Sequence, residues 1–367
     1  MPEPTSNALQ FTRTPATDPT PTAERQKILE DPGFGDHFTD HMVSIHYSPG
    51  TGWHDGHVNP YGPLQLDPSA GVFHYGQEIF EGLKAYRHQD GSIWSFRPEE
   101  NAARFQRSAR RMVMPDLPVG LFLDSLKELI SVDGAWVPSA PGTSLYLRPF
   151  MFAAEAFLGV RSSMEYAYHL IASPAGAYFT GGVKPVSIWL SEQWTRAGKG
   201  GTGAAKTGGN YAAGLLPQAE AYDNGCAQVL FLDSVEGRYV EELGGMNVVL
   251  VRKDGSLLTP ASDTILEGIT LKSVLQLAKD AGREVEQRPV TLQEWRDGVA
   301  SGDIVEMFAC GTAAAITPIG ELKSASFTAG DITAPPGEVT MELRQHIADI
   351  QYGHAADRHG WMLRLDA

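Results

Sequence analysis

The chain has 367 residues, 42% apolar and 20% charged, with a formal net charge of −15. That length exceeds one ordinary core and points to two domains, while the negative charge repels phosphate backbones and argues against a nucleic-acid partner. No stretch approaches the ~20 apolar residues that cross a bilayer, so no membrane partner is expected.

Cys226 and Cys310 are the two cysteines, too few for a disulfide framework. No Cys/His spacing suits zinc. The early histidines His37, His41, His46, His54 and His57 lack the helical His-Glu-x-x-His pattern, so no metal is expected.

In chain order, residues 1–30 are polar and proline-rich and read as a flexible arm ending in a short helix, with little surface to bury. This segment lacks the apolar region of a secretory signal, so the cytoplasm is the expected compartment. Met42 to Tyr47 has the pattern of a strand. Trp53 to Pro68 is rich in turn residues, and Phe80 to Phe96 reads as a hairpin turning at Asp90-Gly91. Pro98, Glu99 and Glu100 suit the first turn of a helix. Phe105, Ala109 and Met112 share one of its faces, and Pro115 ends it. A second helix is predicted over about Leu121 to Val132, then strands over Ser144 to Phe152 and Tyr166 to Ala172. Residues 31–172 thus form an α+β pattern.

Residues 173–185 carry Pro174, Gly176, Gly181, Gly182 and Pro185 and read as an interdomain loop, a common place for a substrate site. In the second half, 186–367, strands are predicted at Val186 to Leu190, Gln228 to Leu232, Met246 to Arg252 and Ile304 to Ala309. Asp254-Gly255 reads as a hairpin turn. A glycine-rich loop over 198–209 leads into a helix of about Tyr211 to Asp223, capped by Asn210. Another helix spans Thr270 to Ala281.

The sharpest local feature is Gly-Gly-Thr-Gly-Ala-Ala-Lys-Thr-Gly-Gly-Asn-Tyr over residues 200–211. Small neighbours let a bulky group approach the backbone and the amine of Lys206. Burial favours the neutral form of a lysine, and a neutral amine can attack a carbonyl to form an imine. On this stretch alone three readings stay open: a solvated loop lysine, a phosphate-binding loop and a Schiff-base lysine. Gly200 to Thr207 misses the pattern G-x-x-x-x-G-K-[ST] by one residue, because Ala205 replaces the second glycine.

Six segments stand in order along the chain: His74-Tyr75-Gly76-Gln77-Glu78-Ile79-Phe80-Glu81-Gly82, Ser144-Leu145-Tyr146-Leu147-Arg148-Pro149, Ala205-Lys206-Thr207-Gly208-Gly209-Asn210-Tyr211, Glu242-Leu243-Gly244-Gly245-Met246-Asn247, Leu266-Glu267-Gly268-Ile269-Thr270, and Cys310-Gly311-Thr312-Ala313-Ala314. Together they make the chain resemble the fold-type IV aminotransferases, and among them the branched-chain amino-acid aminotransferases, over about Phe34 to Leu365. The resemblance implies an α/β (α+β) two-domain enzyme, like D-amino-acid aminotransferase in fold. It has a smaller N-terminal α+β domain and a larger C-terminal domain with a pseudo-barrel of strands. It also implies pyridoxal 5'-phosphate as cofactor, a homodimer, and transfer of the amino group of L-leucine, L-isoleucine or L-valine to 2-oxoglutarate. D-amino-acid aminotransfer and aminodeoxychorismate lysis are alternatives on the same fold.

Residue by residue, the resemblance makes Lys206 the Schiff-base lysine and proton carrier. Glu242 becomes the partner of the pyridine nitrogen, with Glu241 its competitor; alternation on a strand would leave one of the two on the surface. Tyr211 would bond the cofactor's phenolic oxygen. Arg104 would bind its phosphate through the guanidinium, with the amides of Ile269 and Thr270 at a helix start and the hydroxyl of Thr312. Tyr75, Phe80, Tyr146, Arg148, Gly245 and Ala313 would surround the substrate, Tyr146 and Arg148 receiving the distal carboxylate of 2-oxoglutarate. Val160 would lie on a loop that reaches the neighbouring subunit's site. The chain departs from mammalian members in having Ala314 and Thr317 where they carry a Cys-x-x-Cys, which removes that redox pair. It also has Gly245 where they have threonine.

Overall fold

The computed structural model describes residues 9–176 and 182–367. Arm residues 1–8 and residues 177–181 of the expected interdomain loop lie outside the described residues. The chain divides into two compact units, Met1–Ala177 with Gln351–Ala367, and Tyr178–Ile350.

The first unit contains β1 (Thr12–Arg13), α1 (Thr22–Glu30), β2 (His41–Ser48), β3 (Gly52–Pro60), α2 (Gly71–Tyr75), β4 (Glu78–Phe80), β5 (Leu83–Arg87), β6 (Ile93–Phe96), α3 (Pro98–Arg111), α4 (Val119–Asp133), β7 (Ser144–Ala153) and β8 (Tyr166–Ala175). The second contains β9 (Val186–Leu190), α5 (Gly208–Ala213), α6 (Leu215–Asp223), β10 (Gln228–Leu232), β11 (Val240–Leu243), β12 (Asn247–Arg252), β13 (Leu257–Pro260), α7 (Ile269–Asp280), β14 (Val285–Arg288), α8 (Leu292–Ser301), β15 (Ile304–Gly311), β16 (Ala315–Lys323), β17 (Thr328–Gly330) and α9 (Glu338–Gln351). A last strand, β18 (Met362–Arg364), returns to the first unit.

The first sheet runs β1-β3-β2-β8-β7-β5-β6-β18, with β4 also on β7. One face packs on α3 and α4: Phe105, Ala109, Phe122, Leu126 and Leu129 meet Val43, Ile45, Leu145, Leu147, Met151, Tyr168 and Leu170. Strand alternation decides what the other face carries. On β7 the buried Leu145, Leu147, Pro149 and Met151 alternate with the half-buried Tyr146, Arg148 and Phe150. The Tyr-x-Arg spacing therefore places two polar side chains together, away from the helices.

The second sheet runs β11-β10-β9-β16-β15-β12-β13-β14, with β17 on β16. It mixes parallel pairs, such as β9 with β10, and antiparallel pairs, such as β12 with β15. Its core joins Ile188, Leu230, Val248, Leu250, Leu258, Ala309 and Ile319 to Trp295 of α8.

Several expectations need correction. Residues 12–30 are tied down rather than flexible. Strand β1 pairs in parallel with β3 through Thr12↔His57 and Arg13↔Val58. Ala16 N–H donates to His41 Nε2 (3.0 Å), and Thr20 donates from its N–H (2.9 Å) and Oγ1 (2.7 Å) to Asp40 Oδ1. Within the turn-rich stretch from Trp53, residues up to Pro60 form strand β3, antiparallel to β2. Gly56 there leaves the space filled by Leu9 and Phe11. Ser173 to Ala175 belong to β8 rather than to a loop, because they pair with Tyr146 to Ser144 of β7.

Residues 351–367 join the first unit, since Met362↔Phe96 and Arg364↔Trp94 pair β18 with β6 and Leu365 is buried in the first core. The first unit thus takes in the end of the chain as well as its beginning.

Candidate active site

In the second unit the glycine-rich loop is shaped by a side chain that was expected to cap a helix. Thr207 is the residue before α5, and Asn210 lies inside it. Asn210 Nδ2 donates to the carbonyls of Thr202 and Ala205, both at 2.9 Å, and its Oδ1 accepts from Thr202 Oγ1 at 2.7 Å. These bonds fix the turn that precedes Lys206. Gly203 allows the loop to lie flush, because a Cβ there would fall 2.3 Å from Thr264 O. The expected long helix is broken at Gly214 into α5 and α6. Lys206 emerges half-buried and donates from Nζ to Tyr211 Oη at 2.7 Å. Tyr211 lies within α5, so its phenol returns over the lysine. Gly245 lies beside the same ring, its missing Cβ 3.9 Å from Tyr211 Cε1.

Glu241 and Glu242 are both buried, which corrects the expectation of one surface carboxylate. Alternation still sends them to opposite sides of β11, but both sides of this strand are covered. Glu241 accepts from Thr264 Oγ1, while its Oε2 has no partner; burial raises its pKa. Glu242 Oε1 accepts from the Leu266 N–H at 2.8 Å and forms an ion pair with Arg196 Nη2 at 2.7 Å, and Oε2 accepts from Asn247 Nδ2 at 3.4 Å. Burial pushes Glu242 up to about 7, and Arg196, the Leu266 amide and Lys206 pull against that rise. An acid so placed is ionised at neutral pH only with cationic help.

Arg196 is the residue that sequence reasoning missed. It is 6% exposed, and its Nη2 also donates to Gly203 O and Thr264 O. Its signal was slight: a lone arginine entering the glycine-rich loop. Asn247 was visible only as part of a motif. Its side chain donates to Leu266 O at 3.1 Å and occupies the space a Cβ on Gly268 would need.

Ile269 and Thr270 open α7, whose preceding residue Gly268 supplies no side-chain cap. Their amides are thus first-turn donors with no intrahelical partner, the ordinary make-up of an anion site. Thr312 and Ala313 lie, half-buried, in the turn between β15 and β16. Arg344 of α9 braces that turn by donating to Ala314 O (3.0 Å) and Ile316 O, and Ala315 takes a left-handed backbone with φ 54°. The turn adjoins Gly245 and Met246: Asn247 pairs with Cys310, and a Cβ on Gly311 would meet Met246 Cγ at 3.0 Å. Cys310 is itself buried, its thiol pushed up to about 12 by desolvation, and Cys226 is buried too.

The first unit carries the remaining expected residues. Arg104 is not an open guanidinium. Its Nε and Nη2 grip Glu81 Oε1 and Oε2 at 2.7 and 2.8 Å, with the pair almost wholly buried, and Asn101 Nδ2 adds a bond to Glu81 Oε2 at 2.7 Å. That edge of the guanidinium is therefore committed to Glu81. Phe80, Tyr146 and Arg148 come together: the Arg148 guanidinium carbon lies 4.9 and 5.2 Å from the ring centres of Phe80 and Tyr146, and Nη2 donates to Tyr146 Oη at 3.0 Å. Arg148 Nε is buried without a partner. Phe34 packs edge-on to Tyr146 and shares with it and Arg148 a cavity of about 320 Å³. Tyr75 donates to Leu158 O, which ties it to the loop carrying Val160, and Val160 is 87% exposed.

Comparison with known proteins accounts for this assembly. The family described as amino-transferase class IV matches residues 78–322. A branched-chain-amino-acid aminotransferase of Mycolicibacterium smegmatis is 58% identical over 98% of this chain and 100% of its own length. Among solved structures, the T.th. branched-chain amino acid aminotransferase with pyridoxamine 5'-phosphate is 28% identical with a TM-score of 0.71, covering 88% of this chain and 99% of that one. The same protein complexed with N-(5'-phosphopyridoxyl)-L-glutamate is 27% identical with a TM-score of 0.70, over the same shares of each chain. A hydroxyl-paired lysine beside a buried, cation-held glutamate, set in a chain this similar throughout, leads to one assignment: the chain belongs to the class IV aminotransferases, as a branched-chain-amino-acid aminotransferase.

Proposed function

We propose that the chain transfers the amino group of L-leucine, L-isoleucine or L-valine to 2-oxoglutarate, reversibly, using pyridoxal 5'-phosphate held at Lys206. The observation that carries this reading is the Lys206–Tyr211 contact at 2.7 Å beside the buried Glu242. The donor set fits that cofactor group by group. Lys206 offers an amine to the aldehyde carbon, Tyr211 a phenol to the ring oxygen and Glu242 a carboxylate to the ring nitrogen. The Ile269 and Thr270 amides and the Thr312 hydroxyl suit the phosphate.

When bound, the cofactor supplies an electron sink for the pair released at the substrate Cα. The rest falls to the chain's own side chains. Lys206 Nζ in its neutral form takes the Cα proton and later returns one, as a positioned base. Tyr211 Oη holds Nζ in place through their hydrogen bond. Phe80 and the rings of Tyr75 and Tyr146 offer apolar area to a branched side chain, whose burial contributes roughly 1.5–3 kcal/mol. Arg148, with Tyr146, offers donors to the carboxylate of the 2-oxo acid. Gly245 keeps the space beside Tyr211 open, and Ala313 is a further small residue proposed for the substrate's surroundings.

Val160 and its neighbours Phe157 and Leu158, all exposed, support a homodimer in which this loop serves the second subunit's site. Among the described residues no helix is long and apolar enough to cross a membrane. A cytoplasmic enzyme of small molecules is part of this proposal.

The test is a visible spectrum of the purified protein before and after L-leucine. A yellow band that shifts with L-leucine, and not with D-alanine, is expected. A colourless protein after incubation with the cofactor, or a Lys206→Ala variant with full turnover, would overturn the reading.

A further inference from the structure

We infer that Arg196 is a positioning residue for Glu242: its ion pair with Oε1, beside the Leu266 amide bond, leaves Oε2 for the cofactor's ring nitrogen and ties that carboxylate to the loop of Lys206. The inference rests on the proposed pairing of Glu242 with the ring nitrogen.

The Leu266 N–H donates to Oε1 at 2.8 Å and the Arg196 Nη2 lies 2.7 Å from the same oxygen as an ion pair, whereas Oε2 has the Asn247 amide at 3.4 Å. The carboxylate cannot exchange its two oxygens without breaking the Leu266 bond and moving the charge-paired oxygen away from the guanidinium, so Oε2 is the acceptor left for a further N–H. Arg196 is itself fixed. Its Nη2 reaches the carbonyls of Gly203, in the loop before Lys206, and of Thr264, two residues before the Leu266 amide. One guanidinium thus sets the carboxylate and the lysine loop in a common frame. It also supplies the positive charge that a buried glutamate needs to stay ionised. A neutral Glu242 could not keep the ring nitrogen protonated.

The experiment compares apo-protein affinity, by calorimetry, for pyridoxal 5'-phosphate and for its analogue with carbon in place of the ring nitrogen. It uses native protein, Arg196→Met, Arg196→Lys and Glu242→Gln. The ¹⁵N shift of the labelled ring nitrogen is read in each complex. Native protein is expected to prefer the natural cofactor by about tenfold or more, the scale of a charge-assisted hydrogen bond. Arg196→Met and Glu242→Gln should lose that preference to within about twofold, with the nitrogen shift moving to its unprotonated value. Arg196→Lys keeps the charge without the planar group that also holds the Gly203 and Thr264 carbonyls; it should keep a protonated nitrogen and only part of the preference, and it serves if the methionine variant does not fold. A native preference and a protonated shift in Arg196→Met, or an undiminished preference in Arg196→Lys, overturns the inference while leaving the Glu242 pairing intact. No preference in native protein, with Glu242→Gln unchanged from it, overturns the Glu242 pairing and the inference with it.

Discussion

His169 lies among the rings of Phe150 and Phe152, with centroids 5.4 and 5.6 Å away, and its Nδ1 is buried without a partner. Burial pushes its pKa down to about 4; nearby His46 adds to that fall, and the Val43 backbone opposes it. The unfolded chain binds a proton near pH 6.5 and the folded chain resists one until about 4, so between those values unfolding takes up protons. The folded state therefore loses stability as pH falls through that window, by up to about 3 kcal/mol from this residue alone. His169→Phe, which suits the surrounding rings, should raise the melting temperature at about pH 5 more than at about pH 8. Equal shifts at both values would refute the assignment.

Single residues were also where the sequence spoke most clearly about chemistry. Lys206 and Tyr211 stand five positions apart in one motif and Glu242 in another, legible through the family resemblance, and the structure pairs the first two directly. Arg104 shows the limit. Its place on the helix was legible, but Glu81, which occupies one edge of its guanidinium, lies outside that helix, and no spacing rule joins them. Arg196 was illegible for the same reason: its meaning is a tertiary contact with Glu242.

At the scale of elements, the long periodic segments were readable. Helix α3 starts at Pro98 with acids in its first turn and buries Phe105 and Ala109 as predicted. Strands β3 and β1 were not. Their glycines, prolines and threonines mark turns in general, and here the strands are specified by backbone pairing with β2 and by side chains elsewhere. Asp40 shows how: one oxygen takes both Thr20 donors and the other takes Trp136 Nε1 at 2.8 Å. Asp40→Ala should free the arm and leave the buried indole N–H unpaired, at a cost of about 1–3 kcal/mol. Limited proteolysis should then cut within residues 14–30 faster than in native protein, alongside a lower melting temperature. An unchanged cleavage rate would mean that the arm is held by other contacts.

At the scale of the molecule, the proposed dimer has a direct check. Val160, Leu158 and Phe157 are 87%, 57% and 39% exposed, next to the Glu155–Arg161 ion pair that braces their loop. Isolated apolar side chains are ordinary on surfaces, but a rigidly held group of them suits a partner. Sedimentation of native protein should give about twice the 39.8 kDa of one chain. Val160→Asp should shift it toward the monomer at micromolar concentration. A native protein that sediments as a single chain would sink the dimer.

The first sheet has its two outermost strands, β1 and β18, at positions 12–13 and 362–364. During synthesis, then, β6 waits with an open edge while the entire stretch 178–350 leaves the ribosome. The second unit can condense first, from contiguous chain, and the first unit is finished last. A ribosome that stalls or terminates before residue 362 should therefore release a product damaged in the unit it began with. Such fragments would expose the backbone of Ile93–Phe96 as a free template for another strand.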